Sequence, residues 1–350
     1  MQQKHKDMDT SSIRYDYLQI GLNSKECLKI FESTRQDDIM QLVVGDHSGV
    51  LQSHKVRGGK ILDTVFKTMP GPNLKITAVE MAEGSAKVFA SVGSLMIRGL
   101  SRKGKQFFGL ELNNLTEPIE HLKLCWPTDI FVSGNYIYNH YVLSPMSVDA
   151  NVVQMKNTYI CPGTVSAMTV LTEGQNHVPV LACQDRLLRI LRDSKCEFEL
   201  ETSGVPMSLV NLTHATPEKE FAFCYGSSDG KVTMVGLKQE AGSKPFSRWD
   251  FPESGVRSPV ESLAASSLGK EIVVGRSDGT IEVWGFNGTL NLDGTENVDF
   301  DSVPFCRFTF NCNESVTSLC ISRDSSLVVA CTFAGSVFGL ECKYRIPVRQ

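Results

Sequence analysis

Short runs of apolar and β-branched residues alternate with tight polar turns along the whole chain. One unit, a β-prone run followed by a turn and a second β-prone run, recurs seven times. The copies occupy 42–56, 88–100, 130–142, 180–192, 221–237, 272–286 and 327–342. Almost no segment has the 3.6-residue apolar period of an amphipathic helix. The pattern therefore predicts an all-β protein built from hairpins.

The turns and flanking runs predict how these hairpins assemble. Four turns contain a glycine where a positive φ is needed, namely Gly49, Gly230, Gly279 and Gly335. A further β-prone run precedes each hairpin, and a fourth follows most of them. Four strands per repeat at a period of about 45 residues are typical of a β-propeller. Seven repeats predict a seven-bladed β-propeller.

The two ends of the chain predict how the ring closes. The predicted blades cover about 27–67, 74–112, 119–158, 165–202, 206–251, 260–310 and 315–343. The last blade has three strands, and an extra strand at 15–22 precedes the first blade. We expect this N-terminal strand to complete the last blade, because that pairing removes an open sheet edge. The propeller then forms a single domain over 15–343, preceded by a disordered tail at 1–14.

Composition and charge exclude several classes of function. The 350 residues carry a net charge of −4, without the basic excess expected of a nucleic-acid-binding protein. No run of eighteen apolar residues predicts a membrane span. Eleven cysteines occur at irregular spacing without a C-x-x-C motif, which predicts thiols in a reducing compartment rather than disulfides or a zinc site.

No motif in the sequence predicts catalysis. The G-x-S-x-G pattern occurs at 226–230 and 275–279, but both copies occupy equivalent hairpin turns rather than a strand-to-helix elbow. The histidines lack the spacing of metal ligands, and the acidic stretch 293–301 lacks that of an EF-hand loop. We therefore predict no catalytic residue, no cofactor, no metal site and no enzymatic activity.

Two alternatives remain open from the residues. A hydrolase with its site in the central funnel requires a bound metal or three converging acidic or histidine side chains at the axis. An independent peptide-binding propeller requires one deep pocket and binds without partner subunits.

A basic turn and a run of tyrosines are the candidate interaction surface. The basic cluster suits an acidic partner or anionic lipid headgroups, although a charged turn also blunts an exposed sheet edge. Tyrosines often anchor interfaces, although tyrosines in strands more often pack in a core. The candidates are Arg98, Arg102, Lys103, Lys105, Tyr136, Tyr138 and Tyr141.

Several longer strings point to a known family. They include Tyr15–Gln19, Gly45–Val50, Val65–Pro72, Tyr136–Tyr141, Pro179–Leu191 and Val274–Gly279. In their number and order these strings resemble the N-terminal propeller of the Bardet–Biedl syndrome protein 7 family, subunits of the BBSome. The resemblance covers about 15–342 and departs from the family at 1–14 and 287–304. It implies that 344–350 begin a linker to further C-terminal domains.

This resemblance implies a noncatalytic protein-interaction scaffold in a BBSome-like cargo adaptor that carries membrane proteins into and out of cilia. It implies binding to other BBSome subunits, notably Bardet–Biedl syndrome protein 2, and to chaperonin-like assembly factors. Ciliary membrane cargo and acidic lipid headgroups are further expected partners, and nucleic acid is not. The implied locations are the cytoplasm, the cilium, the ciliary base with its basal body, and the periphery of the ciliary membrane.

Overall fold

The computed structural model is built from β-strands arranged in blades around one axis. It describes residues 12–32, 39–57, 59–82, 86–143, 153–173, 176–212, 221–237, 246–266, 271–286, 288–290, 296–298 and 303–342. Seven four-stranded antiparallel sheets form the blades, which confirms the predicted seven-bladed β-propeller. Within the described ranges, no helix has the length and apolar character needed to cross a membrane.

The strands are numbered in chain order, and each blade is given from its inner to its outer strand. Blade 1 contains β2 (Leu28–Glu32), β3 (Met40–Gly45), β4 (Leu51–Arg57) and β5 (Lys60–Thr68). Blade 2 contains β6 (Ile76–Met81), β7 (Val88–Val92), β8 (Met96–Leu100) and β9 (Gln106–Glu111). Blade 3 contains β10 (His121–Cys125), β11 (Asp129–Ser133), β12 (Ile137–Leu143) and β13 (Val153–Ile160). Blade 4 contains β14 (Val165–Glu173), β15 (Asn176–Cys183), β16 (Leu187–Arg192) and β17 (Lys195–Glu201).

The remaining blades follow the same order. Blade 5 contains β18 (Pro206–Asn211), β19 (Phe221–Ser227), β20 (Val232–Leu237) and β21 (Phe246–Asp250). Blade 6 contains β22 (Val260–Ala265), β23 (Glu271–Arg276), β24 (Thr280–Gly285) and β27 (Phe305–Asn311). A separate two-stranded ribbon, β25 (Gly288–Leu290) and β26 (Glu296–Val298), lies between β24 and β27 in the chain. Blade 7 contains β28 (Val316–Ile321), β29 (Leu327–Thr332), β30 (Ser336–Cys342) and the N-terminal strand β1 (Ser12–Gln19).

Strand β1 closes the ring. It pairs antiparallel with β30, with Tyr15 opposite Gly339, so the expected completion of the last blade is confirmed. The strand begins at Ser12, so 12–14 are not tail as expected, because they pair with 340–342. The rest of the predicted tail, 1–11, and the predicted linker, 344–350, lie outside the described residues.

The core lies between neighbouring blades. One buried cluster joins Leu188 of blade 4 to Phe223 of blade 5, and another joins Val283 of blade 6 to Phe338 of blade 7. Because each blade packs on both faces, its two middle strands read as nearly continuous apolar runs, as in β23 and β29.

The inner strands are held together by a repeated hydroxyl contact. A serine or threonine at the second or third position of an inner strand donates a hydrogen bond to a backbone carbonyl of the next blade or of the segment just before it. The bonds are Thr77 Oγ1 to Ile119 (2.6 Å), Ser166 Oγ to Pro206 (2.5 Å), Ser208 Oγ to Val260 (3.2 Å), Ser262 Oγ to Val316 (2.9 Å) and Ser318 Oγ to Lys25 (2.5 Å). These bonds explain why short polar residues occur in strands that face the axis, since they satisfy buried carbonyls between the blades.

Both G-x-S-x-G segments form hairpin turns, as expected. Gly230 and Gly279 have φ values of 84° and 88°, a region that glycine adopts without steric cost. The Ser227 hydroxyl donates to Asp229 Oδ1 at 2.5 Å, and the Thr280 amide donates to Asp278 Oδ1 at 3.0 Å. The side chains of Ser227, Asp229 and Asp278 therefore stabilise the turns.

Candidate functional site

The ring has two unlike faces and a central cavity. The turn face carries the turns between second and third strands and the connections between blades. The loop face carries the connections between first and second strands and between third and fourth strands. A cavity of about 740 Å³ runs along the axis and is lined by the inner strands of all seven blades.

A network of ion pairs covers the cavity wall at blades 1 to 3. Glu26 Oε1 lies 3.1 Å from His121 Nδ1, and its Oε2 accepts a hydrogen bond from Lys123 Nζ at 3.0 Å. Glu80 Oε2 lies 3.0 Å from Lys29 Nζ and 3.6 Å from Lys123 Nζ. The network therefore connects the first three blades through side chains that face the cavity.

The surroundings of these charges fix their protonation. Burial alone would raise the pKa of Glu26, but the Lys123 ammonium and the hydrogen bond to His121 outweigh it and hold this pKa well below its usual 4.5. Burial would lower the pKa of Lys29, but the Glu80 carboxylate outweighs it and raises that pKa. Glu26 and Lys29 are therefore both charged at neutral pH.

The network meets the geometric condition set for a funnel hydrolase, since Glu26, Glu80 and His121 converge at the axis. Lysine ammonium groups lie within 3.0 Å of both carboxylates, so neither is available as a general base without breaking an ion pair. No group of three histidine, cysteine or acidic side chains in the described part of the chain could hold a metal ion. The arrangement therefore favours a structural role that ties three blades together.

Replacing Glu26 with Gln tests this role through pH. The ionised carboxylate stabilises the fold, because its folded pKa is lowered. Its contribution is thus present above the unfolded pKa and lost as pH falls through the folded value. At pH 7 we expect E26Q to lower the free energy of unfolding by about 1–3 kcal/mol, and this difference should shrink progressively below pH 4.5. Urea unfolding of both proteins from pH 7 to pH 3 measures it. Glu111 is exposed, so Glu111→Gln is the control and should leave the free energy of unfolding unchanged. If the free energies of E26Q and the unaltered protein differed by the same amount at every pH, the role of the charge would be contradicted.

The structure separates the predicted interaction residues. Arg102, Lys103 and Lys105 are exposed on the turn between β8 and β9, on the loop face. Arg98 is half-buried within β8, where its guanidinium contacts Met96 Sδ at 3.2 Å. The basic turn therefore comprises the three exposed residues, and Arg98 lies apart from it.

The three tyrosines also differ in position. Tyr136 is 48% exposed on the turn face, whereas Tyr138 and Tyr141 are 1% and 4% exposed. Contrary to the expectation of an exposed surface, Tyr138 and Tyr141 are buried within this ring, because strand β12 is packed against neighbours on both of its faces. Tyr136 and the basic turn lie on opposite faces, so they do not form one surface.

An apolar patch beside Tyr136 was not predicted from the sequence. Ile160, at the end of β13, is 76% exposed and pairs with Ile137. Ile160 and Tyr136 define what we call the blade 3 patch. Three more exposed apolar side chains, Leu22, Met69 and Phe333, lie on the same turn face. The sequence signal that could have revealed this patch is an isoleucine directly before a blade connection, a position where burial is not expected.

The blade 3 patch is held rigidly. The two oxygens of the Glu117 carboxylate accept hydrogen bonds from the Tyr136 amide at 2.8 Å and the Asn135 amide at 3.0 Å. The Thr164 hydroxyl donates to the Tyr136 hydroxyl at 2.9 Å. A fixed apolar patch of this kind loses little entropy when a partner binds, which favours a docking role.

The similarity to known proteins extends over the whole ring. The family model described as a BBS7 beta-propeller matches residues 28–342. The chain is 35% identical over 347 residues to the Mus musculus protein named BBSome complex member BBS7, and 24% identical over 344 residues to the Caenorhabditis elegans protein named BBSome complex member bbs-7. The alignments cover 95% and 93% of this chain but 44% of each relative, so the chain spans less than half of their length.

Two solved structures of low sequence identity share the fold. The β-propeller domain of Myceliophteria thermophila Cps50 (Swd1) matches with a TM-score of 0.67 at 12% identity, over 95% of this chain and all of that one. A chain of the mitotic checkpoint complex matches with a TM-score of 0.69 at 11% identity, over 98% of this chain and 99% of that one. At these identities the likeness shows the fold alone.

Proposed function

The chain belongs to the BBS7 β-propeller family, and from this we propose that it is a noncatalytic scaffold in a BBSome-like complex that carries membrane proteins into and out of cilia. Its proposed partners are the other subunits of that complex, notably Bardet–Biedl syndrome protein 2, together with chaperonin-like assembly factors. Its proposed locations are the cytoplasm, the ciliary base with its basal body, the cilium and the periphery of the ciliary membrane. The names of the two relatives, both BBSome complex members, support this proposal.

The blade 3 patch is the observation that carries a docking role. An isoleucine that is 76% exposed beside a half-exposed tyrosine, on a backbone clamped by Glu117, is a costly arrangement for a surface that only meets water. Interfaces commonly bury a few such anchors and surround them with contacts of little energy. We therefore assign the blade 3 patch to contact with a partner subunit.

The basic turn on the loop face supplies a second contact of different chemistry. Arg102, Lys103 and Lys105 are all exposed. Three cations on one turn attract acidic protein segments or anionic lipid headgroups. In the proposed complex this turn faces membrane cargo or the membrane itself, while the turn face contacts another subunit.

Replacing Ile160 with Asp tests the docking role. A charge at the centre of an apolar contact must be desolvated, so we expect recovery of partner subunits with the tagged full-length protein to fall about tenfold. Quantitative affinity purification from ciliated cells measures this. The matched control is Met155→Asp on the same strand, where the methionine is 43% exposed but lies away from the turn face.

The same purification distinguishes the alternatives. Unchanged partner recovery with a folded I160D protein would overturn the assignment of the blade 3 patch. If partner recovery falls only when Arg102, Lys103 and Lys105 are all changed to Glu, the docking surface lies on the loop face instead. Peptide binding by the ring alone, with no subunit recovered by the unaltered protein, would favour the independent peptide-binding propeller.

A further inference from the structure

A cysteine, a histidine and an aspartate converge at the loop-face end of the central cavity. Cys125 ends β10, and its Sγ lies 3.8 Å from His177 Nδ1 at the start of β15. Thr172 Oγ1 lies 3.4 Å from the same sulfur and 3.3 Å from the same nitrogen. Cys125, Thr172 and His177 all line the cavity, so small molecules that enter it reach the thiol.

Asp129 sets the orientation of the His177 ring. Its Oδ2 lies 3.5 Å from His177 Nε2, and its Oδ1 lies 2.6 Å from His140 Nε2. An ionised carboxylate only accepts hydrogen bonds, so the proton of neutral His177 resides on Nε2. The Nδ1 atom is then an acceptor that faces the Cys125 thiol, which is the relation between a nucleophile and its base.

The surroundings keep these groups in the required charge states. Burial lowers the pKa of His177 below its usual 6.5, despite the opposing effect of Asp129, so the ring is neutral at pH 7. Burial would raise the pKa of Asp129, but hydrogen bonds from Thr128 and His140 outweigh it, so the carboxyl is ionised. A neutral imidazole beside a thiol accepts the thiol proton as the sulfur attacks.

We propose that Cys125 is a site of covalent modification by small uncharged α,β-unsaturated carbonyl compounds. His177 Nδ1 takes the thiol proton as the Cys125 sulfur forms a bond to the β-carbon of the compound. The electron pair of the carbon–carbon double bond moves toward the carbonyl, and the α-carbon then takes the proton back from His177. The reaction is an addition, so no leaving group, oxidant or reductant takes part.

The lining of the cavity favours an uncharged compound. Trp126 and Pro127, which follow Cys125 in the chain, line the cavity beside the thiol, as does Val170 of the next blade. The nearby Asp129 carboxylate already lies beside the imidazoles of His140 and His177. Apolar side chains beside the thiol favour a neutral molecule, and the negative charge of Asp129 disfavours an anion.

A comparison of two cysteines in the unaltered protein tests the proposal. Cys306 is exposed, but its thiol contacts only Thr309 Oγ1 and the Phe308 carbonyl in the described structure, and burial of the sulfur raises its pKa. Cys125 is less exposed. With limiting N-ethylmaleimide at pH 7, we expect Cys125 to react about tenfold faster than Cys306, because base assistance outweighs exposure. Mass spectrometry of the peptides measures both rates in one sample.

Replacing His177 with Asn identifies the base. We expect the rate at Cys125 to fall about tenfold, with the rate at Cys306 unchanged. The deeply buried Cys224 reports unfolding, since it reacts only if the variant loses its fold. Equal rates at Cys125 and Cys306 in the unaltered protein, or an unchanged rate at Cys125 in a folded H177N protein, would overturn the proposal.

The pH profile separates base assistance from simple packing. The groups that face the site are Asp129, His140, Lys156 and Tyr138, besides His177 itself. In the unaltered protein the rate should rise as His177 loses its proton, below pH 6.5, and then level off near neutrality. In H177N it should keep rising through the ordinary range of a thiol, near pH 8.5. Profiles of the same shape would contradict the assignment of His177.

Discussion

Replacing Glu282 with Gln is expected to lower the free energy of unfolding by about 3–5 kcal/mol, because it leaves a buried arginine without its counter-ion. Arg276 and Glu282 have side chains that are 2% and 1% exposed, and their nearest N and O atoms lie 2.9 Å apart. The same carboxylate oxygen accepts a hydrogen bond from Trp284 Nε1 at 3.1 Å. The guanidinium cannot lose its proton, so its charge remains buried in the variant.

An exposed ion pair provides the matched control. Arg192 and Glu197 lie 2.8 Å apart, with side chains that are 60% and 31% exposed. Water solvates both groups when the pair is broken, so Glu197→Gln should change stability by no more than about 1 kcal/mol. Urea unfolding of both variants at pH 7 measures the difference. Equal small effects would show that water or a carbonyl replaces the carboxylate at Arg276, whose Nη1 already donates to Gly230 O and Ser258 O.

The blades could be predicted because their signals are local. A hairpin needs two apolar runs and a turn residue with a permitted φ, and all of these lie within about fifteen residues. Gly230 and Gly279 have the positive φ values that their turns require. Closure by β1 could also be predicted, since one blade lacked a strand and one strand lacked a blade.

The network in the central cavity could not be predicted in this way. Glu26 and Lys123 bind each other although they are 97 positions apart, and no local pattern reports such a contact. The network meets at the axis only because blades 1, 2 and 3 are neighbours in a closed ring. The serine and threonine contacts between inner strands also depend on blades being neighbours in the ring. In the sequence these residues therefore appear only as polar positions at irregular spacing.

Burial in the middle strands could not be predicted either. Tyr138 and Tyr141 lie on β12, the third strand of its blade, and both of its faces are covered by neighbouring blades. The alternation that separates core from surface in a sheet covered on one side is therefore lost. Tyr136 differs because it belongs to the turn before that strand, which places it on the turn face.

Removing residues 1–20 is expected to abolish cooperative unfolding of a compact ring at 25 °C. Strand β1 makes seven residue pairs with β30. At about 1 kcal/mol of net stability per backbone hydrogen bond, their loss is comparable with the 5–15 kcal/mol by which an ordinary domain is stable. The deletion also removes Ile20, which packs in the core between blades 7 and 1. It leaves β30 as an unpaired edge in the last blade, which promotes association between chains.

A protein that starts at residue 12 is the control for this deletion, because it keeps all of β1. We expect it to unfold with the midpoint of the full chain, whereas the protein that starts at residue 21 aggregates or unfolds without a single transition. Size-exclusion chromatography and urea unfolding distinguish the two. Adding the peptide 12–20 in trans should restore part of the monomeric, cooperative fraction, since the groove beside β30 accepts that strand in one register. A compact, cooperative protein without residues 1–20 would show that three strands suffice for blade 7, and that inner-strand contacts such as Ser318 to Lys25 close the ring by themselves.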